Sequence, residues 1–87
     1  KRVDERNRLF KILEEISWLE PYPTQANFIL CSVNNGKAKD LQKLLEDRGI
    51  LVRYFDKPFL NDCIRISVGK PEDSDILVTA LREIGGE

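Results

Sequence analysis

The chain has 87 residues, of which 41% are apolar and 33% charged, a composition typical of one globular domain rather than of a disordered segment. Its 14 basic and 15 acidic residues leave a net charge of −1, so no basic surface for nucleic acid is expected, and no apolar run reaches the ~18 residues of a membrane span. Because the chain has no histidine, a histidine-based metal site and a histidine general base are excluded.

Residues 1–20 predict a helix that leads into the domain. Charged residues fill one face over residues 3–19, and apolar residues recur at helical spacing on the other, at Val3, Leu9, Phe10, Leu13 and Ile16. Two prolines in the segment PYPTQ (21–25) then end the helix and favour an extended linker. Since the chain opens inside a helical pattern and contains no methionine, we expect it to be a piece of a longer protein.

Residues 26–85 predict the α/β body of the domain. The segment NFILCSV (27–33) predicts a strand that is apolar on both faces and therefore lies inside a sheet. The segment NNGK (34–37) predicts a turn whose asparagines can cap a helix over 37–48. Gly49 supplies the left-handed residue that ends this helix.

Two further strands and a helix complete the body. The segments ILVRYF (50–55) and CIRISV (63–68) predict strands joined by a loop, and a helix over 71–84 begins at a proline and ends at GG (85–86). The resulting order α-β-α-β-β-α indicates an α+β two-layer sandwich. We expect a three-stranded, mainly antiparallel sheet in the order first-third-second, with the helices on one face.

Two arginines interrupt the apolar pattern of the strands. Ile64 and Ile66 are expected to face the helices, which leaves Arg65 on the uncovered face, and the same argument places Arg53 there. Arginine binds carboxylate or phosphate through two parallel hydrogen bonds, so such a pair would form an anion cradle. The alternative is that both arginines are solvated or paired with cross-strand carboxylates.

The uncovered face is also expected to carry apolar side chains. Leu51 and Phe55 share it with Arg53, and Phe59 follows in the next loop. Exposed apolar residues beside charges are typical of a surface that another domain or chain covers.

The two cysteines, Cys31 and Cys63, lie 32 residues apart in apolar stretches. Two thiols do not make a disulfide framework, so we expect both to be buried and reduced. Reduced cysteines favour an intracellular setting.

Four segments follow one another in a recognisable order: DERNRL (4–9), YPTQANFILCSV, GKAKDLQKLLEDRGILVRYF and CIRISVGKPEDSDILVTALREI. Together they resemble the C-terminal small domain of the histidinol-phosphate aminotransferases, which are fold-type I pyridoxal-phosphate enzymes. That domain carries a Gly-Ile-x-Val-Arg strand and an Ile-Arg-Ile strand that runs through Val-Gly into Pro-Glu. One departure is Lys70, because the family often has a threonine there that caps the last helix.

The resemblance implies a substrate-binding role for both arginines. In the family, the arginine at the position of Arg65 grips the anionic end of the substrate, and the one at the position of Arg53 assists. The implied substrates are histidinol phosphate, which ends in a phosphate, and glutamate or 2-oxoglutarate, which carry carboxylates. One guanidinium cradle would hold each of them in turn over the cofactor.

The resemblance also implies what this chain does not supply. The lysine that binds pyridoxal phosphate lies in a Ser-Lys stretch of the family's large domain, so no catalytic, cofactor-binding or metal-binding residue is expected here. Solvated surface charges are expected at Lys37, Lys39, Lys43 and Lys57. The implied partners are the protein's own large domain and a second subunit of a homodimer, in the cytoplasm of a bacterium or the plastid of a plant.

Two alternatives remain open from the sequence. One is the small domain of a related enzyme, such as threonine-phosphate decarboxylase or an aromatic amino-acid aminotransferase. The other is a free-standing α+β module that binds an amino acid or RNA. RNA binding is disfavoured because the chain lacks both a basic excess and an exposed aromatic stacking pair.

Overall fold

The computed structural model describes residues 2–34, 37–58 and 62–86, with side chains from residue 4 onward. These residues form three helices and four strands. In chain order the elements are α1 (Arg2–Glu14), β1 (Leu19–Pro21), β2 (Phe28–Val33), α2 (Ala38–Asp47), β3 (Arg53–Tyr54), β4 (Cys63–Ser67) and α3 (Pro71–Ile84).

The four strands form one antiparallel sheet in the order β1-β2-β4-β3. The predicted α+β sandwich is confirmed, and so is the predicted strand order, since β4 lies between β2 and β3. The predicted number of three strands is wrong, because β1 adds a fourth strand at one edge of the sheet.

β1 begins at the last residue of the segment that the sequence predicted as helix over 3–19. α1 ends at Glu14, and the Ile16 N–H donates to the Leu13 carbonyl at 3.1 Å, so a tight turn prolongs the helical spacing. Ile16 is therefore fully buried at its helical position, although the helix has ended. The chain then extends and pairs with β2, and Pro21 is tolerated because an edge strand is bonded on one side only.

β3 is shorter than the strand predicted over 50–55. Gly49 adopts the predicted left-handed conformation, with φ of 79°, and the Ile50 N–H donates to the Leu45 carbonyl at 2.9 Å. Residue 50 thus still belongs to the turn that closes α2 rather than to the sheet. Leu51, which follows, is 79% exposed.

The helix-covered face of the sheet forms the core. The cross-strand pairs Ile29↔Ile66 and Cys31↔Ile64 lie on this face and are buried. All three helices pack against them through a shared set of buried residues: Leu9, Leu13, Ala38, Leu41, Leu45, Leu77, Ala80 and Leu81. The predicted placement of the helices on one face is therefore confirmed, and the opposite face of the sheet carries no described helix.

An ion-pair network fastens α1 to the first turns of α3. Arg8 donates from Nε and Nη2 to the two carboxylate oxygens of Glu5, each at 2.9 Å, and from Nη2 to Asp75 Oδ1 at 3.1 Å. Glu5 is buried, and its hydrogen bonds from Arg8 hold the pKa of its carboxyl group below the usual range.

The two ends of α3 are closed in different ways. As its chemistry requires, Lys70 makes no side-chain cap at the start, and Asp73 Oδ2 instead accepts a hydrogen bond from the Lys70 N–H at 3.3 Å. At the other end, Gly85 lies against the indole ring of Trp18. A Cβ atom at position 85 would lie 2.9 Å from Cε2 and 3.0 Å from Cζ2 of that ring.

The asparagine cap predicted for α2 is absent from the described residues. Lys37 precedes the helix and makes no side-chain hydrogen bond to it. Asn34 donates from Nδ2 to the Ser17 carbonyl at 3.4 Å, which ties the end of β2 to the turn after α1. Asn35, the other candidate for the cap, lies outside the described residues.

Candidate functional site

The uncovered face of the sheet brings the two predicted arginines together. Arg65 lies in β4 between the buried Ile64 and Ile66, so strand alternation turns it away from the core. Arg53 in β3 is its direct cross-strand partner, and Leu30 in β2 faces it from the other side. Side chains directly opposite in an antiparallel pair share a face, with Cβ atoms about 4.5–5.5 Å apart.

Aromatic rings flank both guanidinium groups. The Arg65 guanidinium carbon lies 5.1 Å from the ring centroid of Phe28 and 6.0 Å from that of Phe55. The Arg53 guanidinium carbon lies 5.8 Å from the Phe55 centroid, so Phe55 is shared by both arginines. The sequence had indicated Phe55 as an apolar residue of this face but gave Phe28 no role there. Phe59, also expected near this face, lies outside the described residues.

Neither arginine is neutralised by a carboxylate within the described residues. No acidic oxygen described there lies within 4.0 Å of a nitrogen of Arg53 or Arg65. By contrast, Arg8 pairs with Glu5 and Asp75, and Arg48 pairs with Glu83. The sequence had left a cross-strand ion pair open for the two arginines, and the described residues do not provide one.

Arg53 and Arg65 line an open groove at the β3 edge of the sheet. Its lining includes both arginines together with Gln42, Leu51 and Ser67. Arg53 is exposed and Arg65 is half-buried, so an anion can approach both from solvent. Two planar groups that each present five N–H donors can hold a phosphate or carboxylate by several charge-assisted hydrogen bonds.

The thiol groups offer no nucleophile to this site. Burial raises the pKa of Cys31 to about 12, and burial with a hydrogen bond to Asp62 raises the pKa of Cys63 to about 11. Both thiols are protonated near neutral pH and therefore unreactive. The prediction that both cysteines are buried and unpaired is confirmed, and they point to opposite faces of the sheet.

The described lysines do not fit a Schiff-base site for pyridoxal phosphate. A Schiff-base lysine needs a pocket that holds it beside the cofactor. The six described lysines are all exposed: Lys11, Lys37, Lys39, Lys43, Lys57 and Lys70. None of these six lines the groove beside the two arginines. No step of cofactor chemistry can therefore be assigned to a lysine of the described chain.

Metal ligands and membrane spans are two further features to consider in the residues described. Among them, no three histidine, cysteine, aspartate or glutamate side chains converge as metal ligands would. None of the three described helices combines the length and hydropathy needed to cross a membrane.

Comparisons with known proteins give a consistent family. The family model "Aminotransferase class I and II" matches residues 3–81. A histidinol-phosphate aminotransferase of Dehalococcoides mccartyi is 60% identical over 85 residues, which cover 98% of this chain and 24% of that protein. A chloroplastic histidinol-phosphate aminotransferase of Arabidopsis thaliana is 44% identical over 82 residues, covering 93% of this chain and 20% of that protein. The chain thus spans about a quarter of the length of these relatives.

Solved structures of similar fold include two kinds of enzyme. Histidinol-phosphate aminotransferase from Sinorhizobium meliloti, in complex with pyridoxal-5'-phosphate, superposes with a TM-score of 0.80 at 31% identity, covering 97% of this chain and 23% of that one. L-threonine-O-3-phosphate decarboxylase from Porphyromonas gingivalis has a TM-score of 0.87 at 20% identity, covering 98% and 27%. The second likeness concerns the fold alone.

Proposed function

The chain belongs to the class I and II aminotransferases, and on that premise we propose that it is the C-terminal small domain of a histidinol-phosphate aminotransferase. In this proposal, residues 1–87 bind the anionic end of the substrate, and the remaining three quarters of the protein hold the cofactor and carry the chemistry. The high identity to relatives named histidinol-phosphate aminotransferase supports this substrate over others of the family.

The observation that carries the proposal is the pair Arg53 and Arg65 on the uncovered face, which no carboxylate among the described residues neutralises. Like charges directly opposite on neighbouring strands destabilise a sheet, so such a pair is retained most readily where an anion binds between them. Histidinol phosphate supplies a phosphate dianion, and glutamate or 2-oxoglutarate supplies a carboxylate. The same two guanidinium groups hold each substrate in its half of the reaction.

The role of this chain is binding and orientation. Fixing the charged end of the substrate restricts its rotation and sets the distance of its amine or keto carbon from the cofactor, which converts binding energy into reactive geometry. Pyridoxal phosphate is the cofactor of the family and supplies the transfer of the amino group when bound. Because the described lysines do not fit it, we assign its binding to the rest of the protein.

The same proposal covers the partners and the setting of the full-length protein. The uncovered face, with the exposed Leu51 beside the arginines, would lie against the protein's own large domain, and two subunits would form a homodimer. The protein would act in the cytoplasm of a bacterium or, as for the Arabidopsis relative, in the chloroplast of a plant.

The first prediction tests the arginine pair in the complete enzyme. Arg65→Ala should raise the KM for histidinol phosphate and lower kcat/KM by roughly ten- to more than a hundredfold, since a charge-assisted contact is worth about 1.5–3 kcal/mol. Arg65→Lys should recover only part of this loss, because an ammonium keeps the charge but not the planar fork. Arg53→Ala should also weaken binding, and the two losses should be non-additive because they share one anion.

A matched control is Arg48→Ala, which removes an exposed arginine that pairs with Glu83 and does not line the groove. It should leave the KM unchanged. If Arg65→Ala left the kinetics intact but lowered the Tm sharply, Arg65 would be a structural residue and the proposal would be wrong. Release of carbon dioxide from threonine phosphate, with no transamination of histidinol phosphate, would instead favour the related decarboxylase.

A further inference from the structure

We propose that Phe28 and Phe55 are positioning residues that hold the guanidinium groups of Arg65 and Arg53 by their ring faces and so aim them at the bound anion. This inference rests on the proposed function and concerns how the same site is built. It assigns a specific role to two half-buried aromatic side chains on the uncovered face of the sheet.

The geometry places one ring on each side of Arg65. Phe28 lies in β2, diagonal to Arg65 across the β2–β4 pair, and its centroid is 5.1 Å from the guanidinium carbon. Phe55 follows β3 and lies 6.0 Å from Arg65 and 5.8 Å from Arg53. All three distances are within the range of about 6 Å over which a cation is attracted by the face of an aromatic ring.

Such a support is needed because the two arginines are long, flexible and of like charge. Left alone on the face of the sheet, they would repel each other and sample many rotamers, which an anion would then have to order. The usual way to fix an arginine is a bidentate carboxylate, as Glu5 does for Arg8. A carboxylate at this site would compete directly with the phosphate or carboxylate of the substrate.

An aromatic ring fixes a guanidinium group without that competition. The ring attracts the cation through its face and uses none of the five N–H donors, which point outward in the plane of the group. The rings of Phe28 and Phe55 are half-buried, so they also exclude water from one side of each guanidinium. A lower local dielectric then strengthens the contact of the guanidinium with an incoming anion.

The test uses the complete enzyme and separates ring electronics from ring size. Phe28→Leu and Phe55→Leu keep an apolar side chain but remove the ring, and each should raise the KM for histidinol phosphate by about two- to fivefold with kcat within twofold. Phe55→Tyr keeps the ring face and should restore the wild-type KM. The effect of Phe55→Leu should vanish in an Arg53→Ala, Arg65→Ala background, since the ring acts through those two residues.

Stepwise fluorination of the ring at position 55 keeps its shape and weakens the negative charge of its face. The KM should rise progressively with the number of fluorine atoms, and this result does not depend on whether the leucine variants fold well. The control is Phe10→Leu, the same change on the helix-covered side, where Phe10 packs against the core. It should lower the Tm without changing the KM.

The outcomes distinguish this inference from the proposed function. If Arg65→Ala raises the KM but the leucine variants and the fluorinated enzymes do not, the rings are passive and the inference is overturned, while the proposed function stands. If Arg65→Ala itself leaves the KM unchanged, the proposed function fails first. A KM that rises for both leucine variants but is insensitive to fluorination would also overturn the inference about the rings, because their packing alone would then explain the effect.

Discussion

Arg65 shows how a single position can carry a charge inside a densely packed strand. Its two neighbours in β4 are almost completely buried, yet its own side chain reaches the uncovered face and finds aromatic rings rather than a carboxylate among the described residues. A side chain in this state is held in place but remains electrostatically unsatisfied. In the proposed function, Arg65 would then bind an anion with little further ordering.

The buried thiols give the second prediction at the scale of single residues. Because burial raises the pKa of Cys31 to about 12 and of Cys63 to about 11, both stay protonated in the fold while unfolded thiols ionise above about 9. The folded state then holds more protons than the unfolded state, so the thiols' contribution to stability is present below pH 9. It is lost as the pH rises from 9 to about 11 for Cys63 and to about 12 for Cys31.

The measurement is urea unfolding of the chain at pH 8, 9, 10 and 11, beside a Cys31→Ala, Cys63→Ala double variant. Lysine and tyrosine residues titrate in both proteins, and only the wild type also has the two thiols. The free energy of unfolding of the wild type should therefore fall more steeply over this pH window. Equal slopes would mean that the thiols are not buried as described. Slow reaction with a thiol reagent at pH 8, accelerated by unfolding, checks the same point independently.

For Arg65, the sequence predicted the face to which the side chain points but not the residues that it contacts. The period of two along CIRISV was enough to turn Arg65 away from the core, because buried isoleucines on both sides of it admit only one register. The contact with Phe28 depends on the pairing of strands that are some 35 residues apart in sequence, and it also depends on rotamers. Neither can be read from a local pattern, so the contacts of Arg65 with the aromatic rings could be found only in the structure.

At the scale of elements, the end of α1 shows where pattern reasoning loses its accuracy. A turn with hydrogen bonds to the third residue back keeps Ile16 at a helical spacing after the helix has ended, so the apolar period does not register the change. β1 then spans only three residues, too few for alternation to stand out. The boundaries of α3, where Pro71 fixes the start, were predicted correctly from local chemistry.

The junction between α3 and the turn after α1 supports a third prediction. Gly85 has a helical backbone, for which alanine would ordinarily be an improvement of about 0.5–1 kcal/mol. Here an added Cβ would overlap the indole of Trp18, and overpacking of this kind costs about 1–3 kcal/mol. Gly85→Ala should therefore lower the free energy of unfolding by about 1–2 kcal/mol in urea titrations.

Measuring Gly85→Ala in a variant without the Trp18 ring tests whether overlap with that ring causes the loss of stability. In a Trp18→Leu variant the obstacle is gone, and Gly85→Ala should there be neutral or stabilising, which a double-mutant cycle will show. A loss of the same size in both backgrounds would contradict the proposed overlap.

At the scale of the whole molecule, the sheet separates two tasks. One face buries the apolar residues of three helices and two central strands, and the other presents arginines and aromatic rings, with an open groove at the β3 edge. A two-layer domain of this kind has a complete core and still offers a bare sheet face. In the proposed function, that division would let a chain about a quarter of its relatives' length present a substrate-binding surface while the rest of the protein holds the cofactor.

The last prediction concerns this division directly. Mixed with pyridoxal phosphate and reduced with borohydride, the 87-residue chain should show scattered, substoichiometric labelling, because every described lysine is exposed. The pattern of labelled lysines should be similar for the native and the urea-denatured chain when read by peptide mass spectrometry. Stoichiometric labelling of one lysine in the native chain alone would show that this domain holds a cofactor pocket after all.

The alternation along β4 also bears on how this domain can change over evolutionary time. Substitutions at positions 64 and 66 disturb the core and are removed by selection for folding, whereas a substitution at 65 changes the groove and leaves the core contacts intact. In the proposed function, single changes at 53 and 65 would therefore alter the substrate charge that the domain accepts. Substrate preference would then be open to selection one residue at a time, on a scaffold whose core contacts such changes leave intact.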